Sequence, residues 1–93
     1  MKLIVPSTLT PLLPAAARPP DRRRAELELA ASSWDTMVEE ARTRFPELAA
    51  RVFEPSGTIA TGIVLVVDGR VSSRGSEFGP TSVVTVVPQL AGG

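Results

Sequence analysis

The chain has 93 residues, ten Lys plus Arg against ten Asp plus Glu, and no Cys, His or Tyr. That length builds one domain around one modest core. The charge balance leaves no net field to favour nucleic acid or an anionic membrane, and the missing residue types exclude a disulfide framework, a thiolate nucleophile or zinc site, and an imidazole base.

Met1-Lys2-Leu3-Ile4-Val5, with Ala15-Ala16-Ala17 further on, has the outline of a secretory leader. Pro6, Pro11 and Pro14 break its apolar stretch, so the expectation is a cytoplasmic protein. No run nears the ~20 apolar residues of a membrane span. Lys2 to Val5 instead reads as a first strand, ended or bulged at Pro6, which cannot donate to a sheet ladder. Residues 11–24 carry four prolines and four arginines and read as a long, mobile loop. Ala25 to Ala30 alternates with period two, placing Leu27 and Leu29 on one face and Glu26 and Glu28 on the other.

Ser32 is the expected N-cap of a helix, with Asp35 three residues on at the positive helix end. Trp34, Met37, Val38, Ala41 and Phe45 form one apolar stripe, which is core, while Glu39, Glu40, Arg42 and Arg44 cover the far side. Pro46 closes this helix and opens a short second one, Glu47 to Phe53, with Leu48 and Val52 inward. Ile63 to Val67 is the strongest strand. Asp68-Gly69 is a tight-turn signal, Arg70-Val71-Ser72 the return, Ser73 to Pro80 a polar loop, and Thr81 to Pro88 the last strand.

The element order is therefore β-β-α-α-β-β-β, an α+β roll with a four- to five-stranded sheet. The first and last strands are expected as central neighbours, since both are apolar on both parities. One main helix hides one face only. Val64 and Val66 oppose Ile63, Leu65 and Val67, so the second face is apolar too. Either loops and the short helix cover it, or it docks a partner protein. The sequence closes on Leu90-Ala91-Gly92-Gly93. Without Cβ atoms, two glycines let a backbone enter a channel too narrow for other residues, so the expectation is a domain over 1–91 and a flexible tail at 92–93.

Four segments resemble the small β-grasp sulfur carriers of the MoaD/ThiS family, which are ubiquitin-like in fold. Val5-Pro6-Ser7-Thr8-Leu9-Thr10-Pro11 is similar to the family's Pro-Thr-x-Leu-Arg segment. Phe45-Pro46-Glu47-Leu48 with Arg51-Val52-Phe53 is similar to its helix exit. Gly62 to Gly69 is similar to its Val-Asn-Ile-Tyr-Val-Asn-Gly strand, and Val86-Val87-Pro88-Gln89-Leu90-Ala91-Gly92-Gly93 to its terminal signature. The chain departs from the family pattern at Gly79-Pro80-Thr81-Ser82, where relatives usually carry Asp-Gly-Asp. It departs again in the 11–24 loop, whose Arg22, Arg23 and Arg24 read as solvated.

The resemblance implies a mixed β-grasp sheet with one main and one short helix. It implies a protein cosubstrate rather than an enzyme, binding no cofactor itself. An ATP-dependent, E1-like enzyme would adenylate the Gly93 carboxylate, and sulfur from a persulfide or sulfide would displace AMP. The thiocarboxylate would then serve a sulfur-accepting synthase, in molybdopterin, thiamin, cysteine or secondary-metabolite synthesis. Leu90, Ala91 and Gly92 would thread into the partner's site, and Val87, Val64 and Val66 would dock. The cysteine-pathway and MoaD-like carriers fit the length better than the thiamin type. Two other readings stay open: a ubiquitin-type modifier forming isopeptide bonds, and a non-catalytic interaction domain.

Overall fold

The computed structural model describes residues 1–21, 23–72 and 78–89. Strands β1 (Lys2–Val5) and β2 (Ala25–Glu28) come first. Helices α1 (Trp34–Arg44) and α2 (Pro46–Val52) follow, then β3 (Ile63–Val67), β4 (Arg70–Ser72) and β5 (Val83–Pro88). One five-stranded sheet has the order β2-β1-β5-β3-β4. β1 and β5 are parallel, and every other pair is antiparallel. The first and last strands are thus central neighbours, as their two-sided apolar patterns require. A parallel pair needs a long crossover, and the two helices lie within the chain that joins β1 to β5.

One face of the sheet carries Leu3, Val5, Leu27, Ile63, Leu65, Val67, Val84 and Val86, all buried. The α1 stripe of Trp34, Met37, Val38 and Ala41 packs on it, with Phe45, Leu48, Ala49 and Val52 continuing the same core. Burying one such aliphatic or aromatic side chain stabilises by about 1.5–3 kcal/mol. Trp34 meets Phe53 edge-on, with ring centroids 6.2 Å apart. Its indole N–H donates to the buried carbonyl of Gly57 at 2.8 Å. Gly57 has φ 91, a conformation that favours glycine.

Several boundaries differ from the sequence reading. The N-cap of α1 is Ser33, not Ser32: its hydroxyl accepts the Thr36 N–H, and the Thr36 hydroxyl accepts the Ser33 N–H. Thr36 therefore completes the capping box in place of Asp35. α2 starts on Pro46 itself, whose ring presets the first helical φ, and stops at Val52; Phe53 turns extended to bridge Ile59.

β2 ends at Glu28. The N–H groups of Ala30 and Ala31 leave the ladder and donate to Glu40 Oε2 and Oε1 at 3.2 and 3.0 Å. Arg44 completes this clasp, donating to Glu40 Oε2 at 2.7 Å and to the Glu28 carbonyl at 2.8 Å. β5 begins at Val83, because Thr81 and Ser82 belong to the preceding turn.

The 11–24 segment is not a bare loop. Two 3-10 turns, Thr10–Leu12 and Ala15–Ala17, fold it back, and Leu9, Thr10 and Leu13 are buried. Arg18 stitches the turns, donating to the Leu13 carbonyl at 2.7 Å and the Pro11 carbonyl at 3.0 Å. Arg23 pairs locally with Asp21 at 3.3 Å, and Arg24 is exposed, as expected of solvated arginines. Arg22 lies outside the described residues.

Candidate functional site

The second face of the sheet is built by strand parity. Residues directly opposite across a ladder share a face, so the register arranges the outer side chains in three rows. The first row is the pair Val64 and Val87. The second runs Val71, Val66, Thr85, Ile4 and Glu26 from the β4 edge to the β2 edge. The third holds Val83, Lys2 and Glu28. Val71 is 78% exposed, Val87 38% and Val83 36%, while Ile4, Val64 and Val66 are half-buried among their neighbours. Apolar character therefore concentrates on β5, β3 and β4, and charge at the β2 side, where Lys2 Nζ lies 3.6 Å from Glu26 Oε1.

The three valines expected to dock, Val64, Val66 and Val87, fall together on this outer face. Val71, Val83 and Ile4 join them and were not singled out from sequence. Val71 was within reach, because a two-residue Asp-Gly turn fixes hairpin register and so sets Val71 opposite Val66. Val83 and Ile4 required knowing the register of β5 against β1 and which parity faces outward, not only that the two strands are neighbours.

The hairpin turn has the dihedral signature of its sequence, Asp68 at φ 50 and Gly69 at φ 85. Asp68 also reaches β5: its carboxylate accepts the Val83 N–H at 2.9 Å, and its own N–H donates to the Val83 carbonyl. The Val83 N–H first, and the Ser82 hydroxyl second, hold this carboxyl below its ordinary value. Ser82 in turn accepts the Gly79 N–H at 2.9 Å. The Gly79-Pro80-Thr81-Ser82 turn, where the sequence departs from the family pattern, is thereby tied to the β3–β4 hairpin.

At the other end of β5, the Gln89 N–H donates to the Gly62 carbonyl at 2.7 Å. Pairing thus continues one residue past the strand, beside the Val64–Val87 row. Leu90, Ala91, Gly92 and Gly93, the expected threading segment and reaction site, lie outside the described residues. Among the described residues, no group of three or more His, Cys, Asp or Glu side chains gathers to hold a metal. No helix among them is long and apolar enough to cross a membrane.

A mixed five-stranded sheet with parallel first and last strands, grasping one main and one short helix, defines a ubiquitin-like β-grasp protein. Among solved structures, the chain is similar to SAMP1 from Haloferax volcanii, with a TM-score of 0.59 and 16% identity over all of both chains. No family model and no curated protein sequence matches it. At that identity the likeness establishes the fold.

Proposed function

We propose that the chain is a sulfur carrier, a protein cosubstrate whose Gly93 carboxylate is activated by an E1-like enzyme. The observation that carries this reading is the geometry of the exit. The central strand β5 ends at the apolar end of an exposed sheet face, and in the sequence Leu90-Ala91-Gly92-Gly93 follows directly on Gln89. A partner seated on Val64, Val66 and Val87 would then have the tail at hand. Apolar anchors of this kind supply affinity, and thin glycines let the backbone thread.

The chemistry follows in two steps. A Gly93 carboxylate oxygen attacks the α-phosphorus of ATP, pyrophosphate leaves, and an acyl adenylate forms. Hydrosulfide then attacks the acyl carbon, the bond to AMP breaks, and a thiocarboxylate remains for a sulfur-accepting synthase. Bringing carboxylate and phosphate into line is mainly a positioning problem, and the carrier contributes reach and docking rather than catalysis. ATP is bound by the activating enzyme, and dependence on it assigns the work to the cytoplasm.

The test is intact-protein mass spectrometry after incubation with ATP, sulfide and a panel of E1-like enzymes from the producing organism. The expected result is the exchange of one oxygen for sulfur at Gly93. Failure with enzymes proven competent on other carriers would reject the reading. Gly-Gly remnants on lysines of cellular proteins would replace it with the modifier reading, which uses the same activated carboxyl.

A further inference from the structure

We propose that Pro6 and Pro88 unfasten the last residues of β5 from β1, so that Val87, Pro88 and Gln89 open from β3 as a unit while the rest of the sheet stays closed. The opening is a property of the fold alone. Its use by a partner rests on the reading of the Gly-Gly end as the part that a partner handles.

The hydrogen-bond phase of the sheet places both prolines at one seam. Leu29 donates its N–H to the Met1 carbonyl. Hydrogen-bonded and non-hydrogen-bonded pairs alternate along an antiparallel ladder, so Leu27–Leu3 and Ala25–Val5 are the bonded pairs of β2 and β1. The Val5 carbonyl therefore points at β2. Across the same trans peptide, the N–H side of residue 6, filled in proline by the ring, points at β5. On β5 the bonded pairs with β3 are Gln89–Gly62, Val87–Val64, Thr85–Val66 and Val83–Asp68. The Val87 carbonyl points at β3, so the ring nitrogen of Pro88 faces the β1 side.

The parallel ladder of β1 and β5 runs from the Lys2 N–H on the Ser82 carbonyl to the register pair Ile4 and Thr85. Its next rungs need the N–H of residue 6 on the Val86 carbonyl and the N–H of residue 88 on the carbonyl of residue 6. Proline supplies neither. The Pro6 carbonyl turns instead to the N–H groups of Leu9 and Thr10, at 2.9 and 3.2 Å. A proline is normally kept out of a central strand because it removes a ladder bond; at Pro88 the ladder to β1 has already ended.

The two ends of β5 are thus held unequally. Its start is fastened on both sides, to Lys2 of β1 and to the N–H and carboxylate of Asp68. Beyond Val86, among the described residues, its backbone pairs with β3 alone. Little burial adds to those bonds. Val86 is 1% exposed, but Val87 and Gln89 are exposed and Pro88 is half-buried. Segments with few buried apolar contacts open locally, well below the cost of global unfolding. Opening frees about 10 Å of extended chain for a partner that grips Val87 and draws on the segment after it.

The test is amide hydrogen exchange by NMR on the full chain, in buffer and in low denaturant. In wild type the amides of Val87 and Gln89 should exchange at least about 100-fold faster than that of Thr85, after correction for intrinsic rates, and with weaker dependence on denaturant. Equal protection at the three positions, or equal denaturant dependence, would overturn the proposal. Pro6→Val restores a donor facing the Val86 carbonyl. It should slow Val87 exchange relative to Thr85 about fivefold, the worth of one hydrogen bond, and an unchanged ratio would overturn the assignment of Pro6.

Pro20→Val, at an exposed position outside both strands, should keep the wild-type ratio. A matching change there would make proline removal in general the cause, and would also overturn the proposal. The wild-type measurement decides even if Pro6→Val fails to fold. No activating enzyme takes part in exchange. A chain that opens as expected but is never thiocarboxylated would therefore refute the sulfur-carrier reading alone.

Discussion

In the proposed reaction, a methyl group on residue 93 would stand next to the carboxyl group whose oxygen attacks the α-phosphorus of ATP. Gly93→Ala should leave the circular dichroism spectrum and Tm unchanged while slowing activation about 100-fold, the cost of a displacement near 1 Å. Normal activation of that variant would count against the mechanism.

A second residue with a defined consequence is Glu40. Burial by itself would raise its pKa, but the Arg44 guanidinium and the N–H groups of Ala30 and Ala31 outweigh this and hold it below its ordinary 4.5. A carboxylate lowered by folding stabilises the fold above its unfolded pKa, and that contribution is lost as pH falls through the folded value. Glu40 therefore contributes fully at neutral pH, begins to fail near pH 4.5, and contributes nothing below its lowered value. Glu40→Gln should cost about 1 kcal/mol at neutral pH, or about 4–8 °C in Tm for a domain this size. Below the Glu40 transition the two proteins should converge in a denaturant titration.

At the scale of elements, the two serines before α1 separate local signal from local structure. Both suit an N-cap by type, and Asp35 made Ser32 look the better choice. The choice fell on Ser33 because the Trp34 side chain must enter the core, which fixes the rotation of the first turn. Ser33→Ala should then cost about 1 kcal/mol of stability, and Ser32→Ala close to none. Equal losses in urea unfolding would contradict the capping geometry.

The 11–24 segment teaches the converse. Its prolines argued for an irregular loop, and no period marks Leu9 and Leu13 as core. They are buried because consecutive 3-10 turns fold this segment back onto the core, with Arg18 supplying donors to the Leu13 and Pro11 carbonyls. Hydrogen bonds to side chains seven residues away leave no periodic trace.

At the scale of the whole molecule, the decisive fact is the parallel pairing of β1 and β5. It puts β5, the strand that precedes the tail in sequence, in the middle of the sheet rather than at an edge, and sets Lys2 beside the start of β5. It also assembles an outer face from five strands that no sequence window contains. Val87→Asp is the sharpest probe of that face, since Val87 is 38% exposed and adjoins the tail exit. The variant should fold, losing at most about 1 kcal/mol from reduced strand propensity. It should raise the KM for activation at least about tenfold, in keeping with loss of an apolar anchor, with kcat little changed. An unchanged KM would move docking elsewhere.

The sequence by itself determined the order of strands and helices, the inward stripe of α1, the Asp68-Gly69 hairpin and the two-sided character of β1, β3 and β5. These are local properties: a period of 2 or 3.6 and the turn chemistry of a few residues express themselves within a short window. The terminal Gly-Gly, and the family resemblance it anchors, were equally legible as letters. Only the tertiary structure decided which parity of each strand faces the helices, that Val71, Val83 and Ile4 complete the outer face, and that the Glu40–Arg44 pair clasps the end of β2. Parity and neighbourhood are set by long-range pairing, where the covering helix buries one face of the sheet at the expense of the other. That competition is settled by the packing of the whole core, which no single segment encodes.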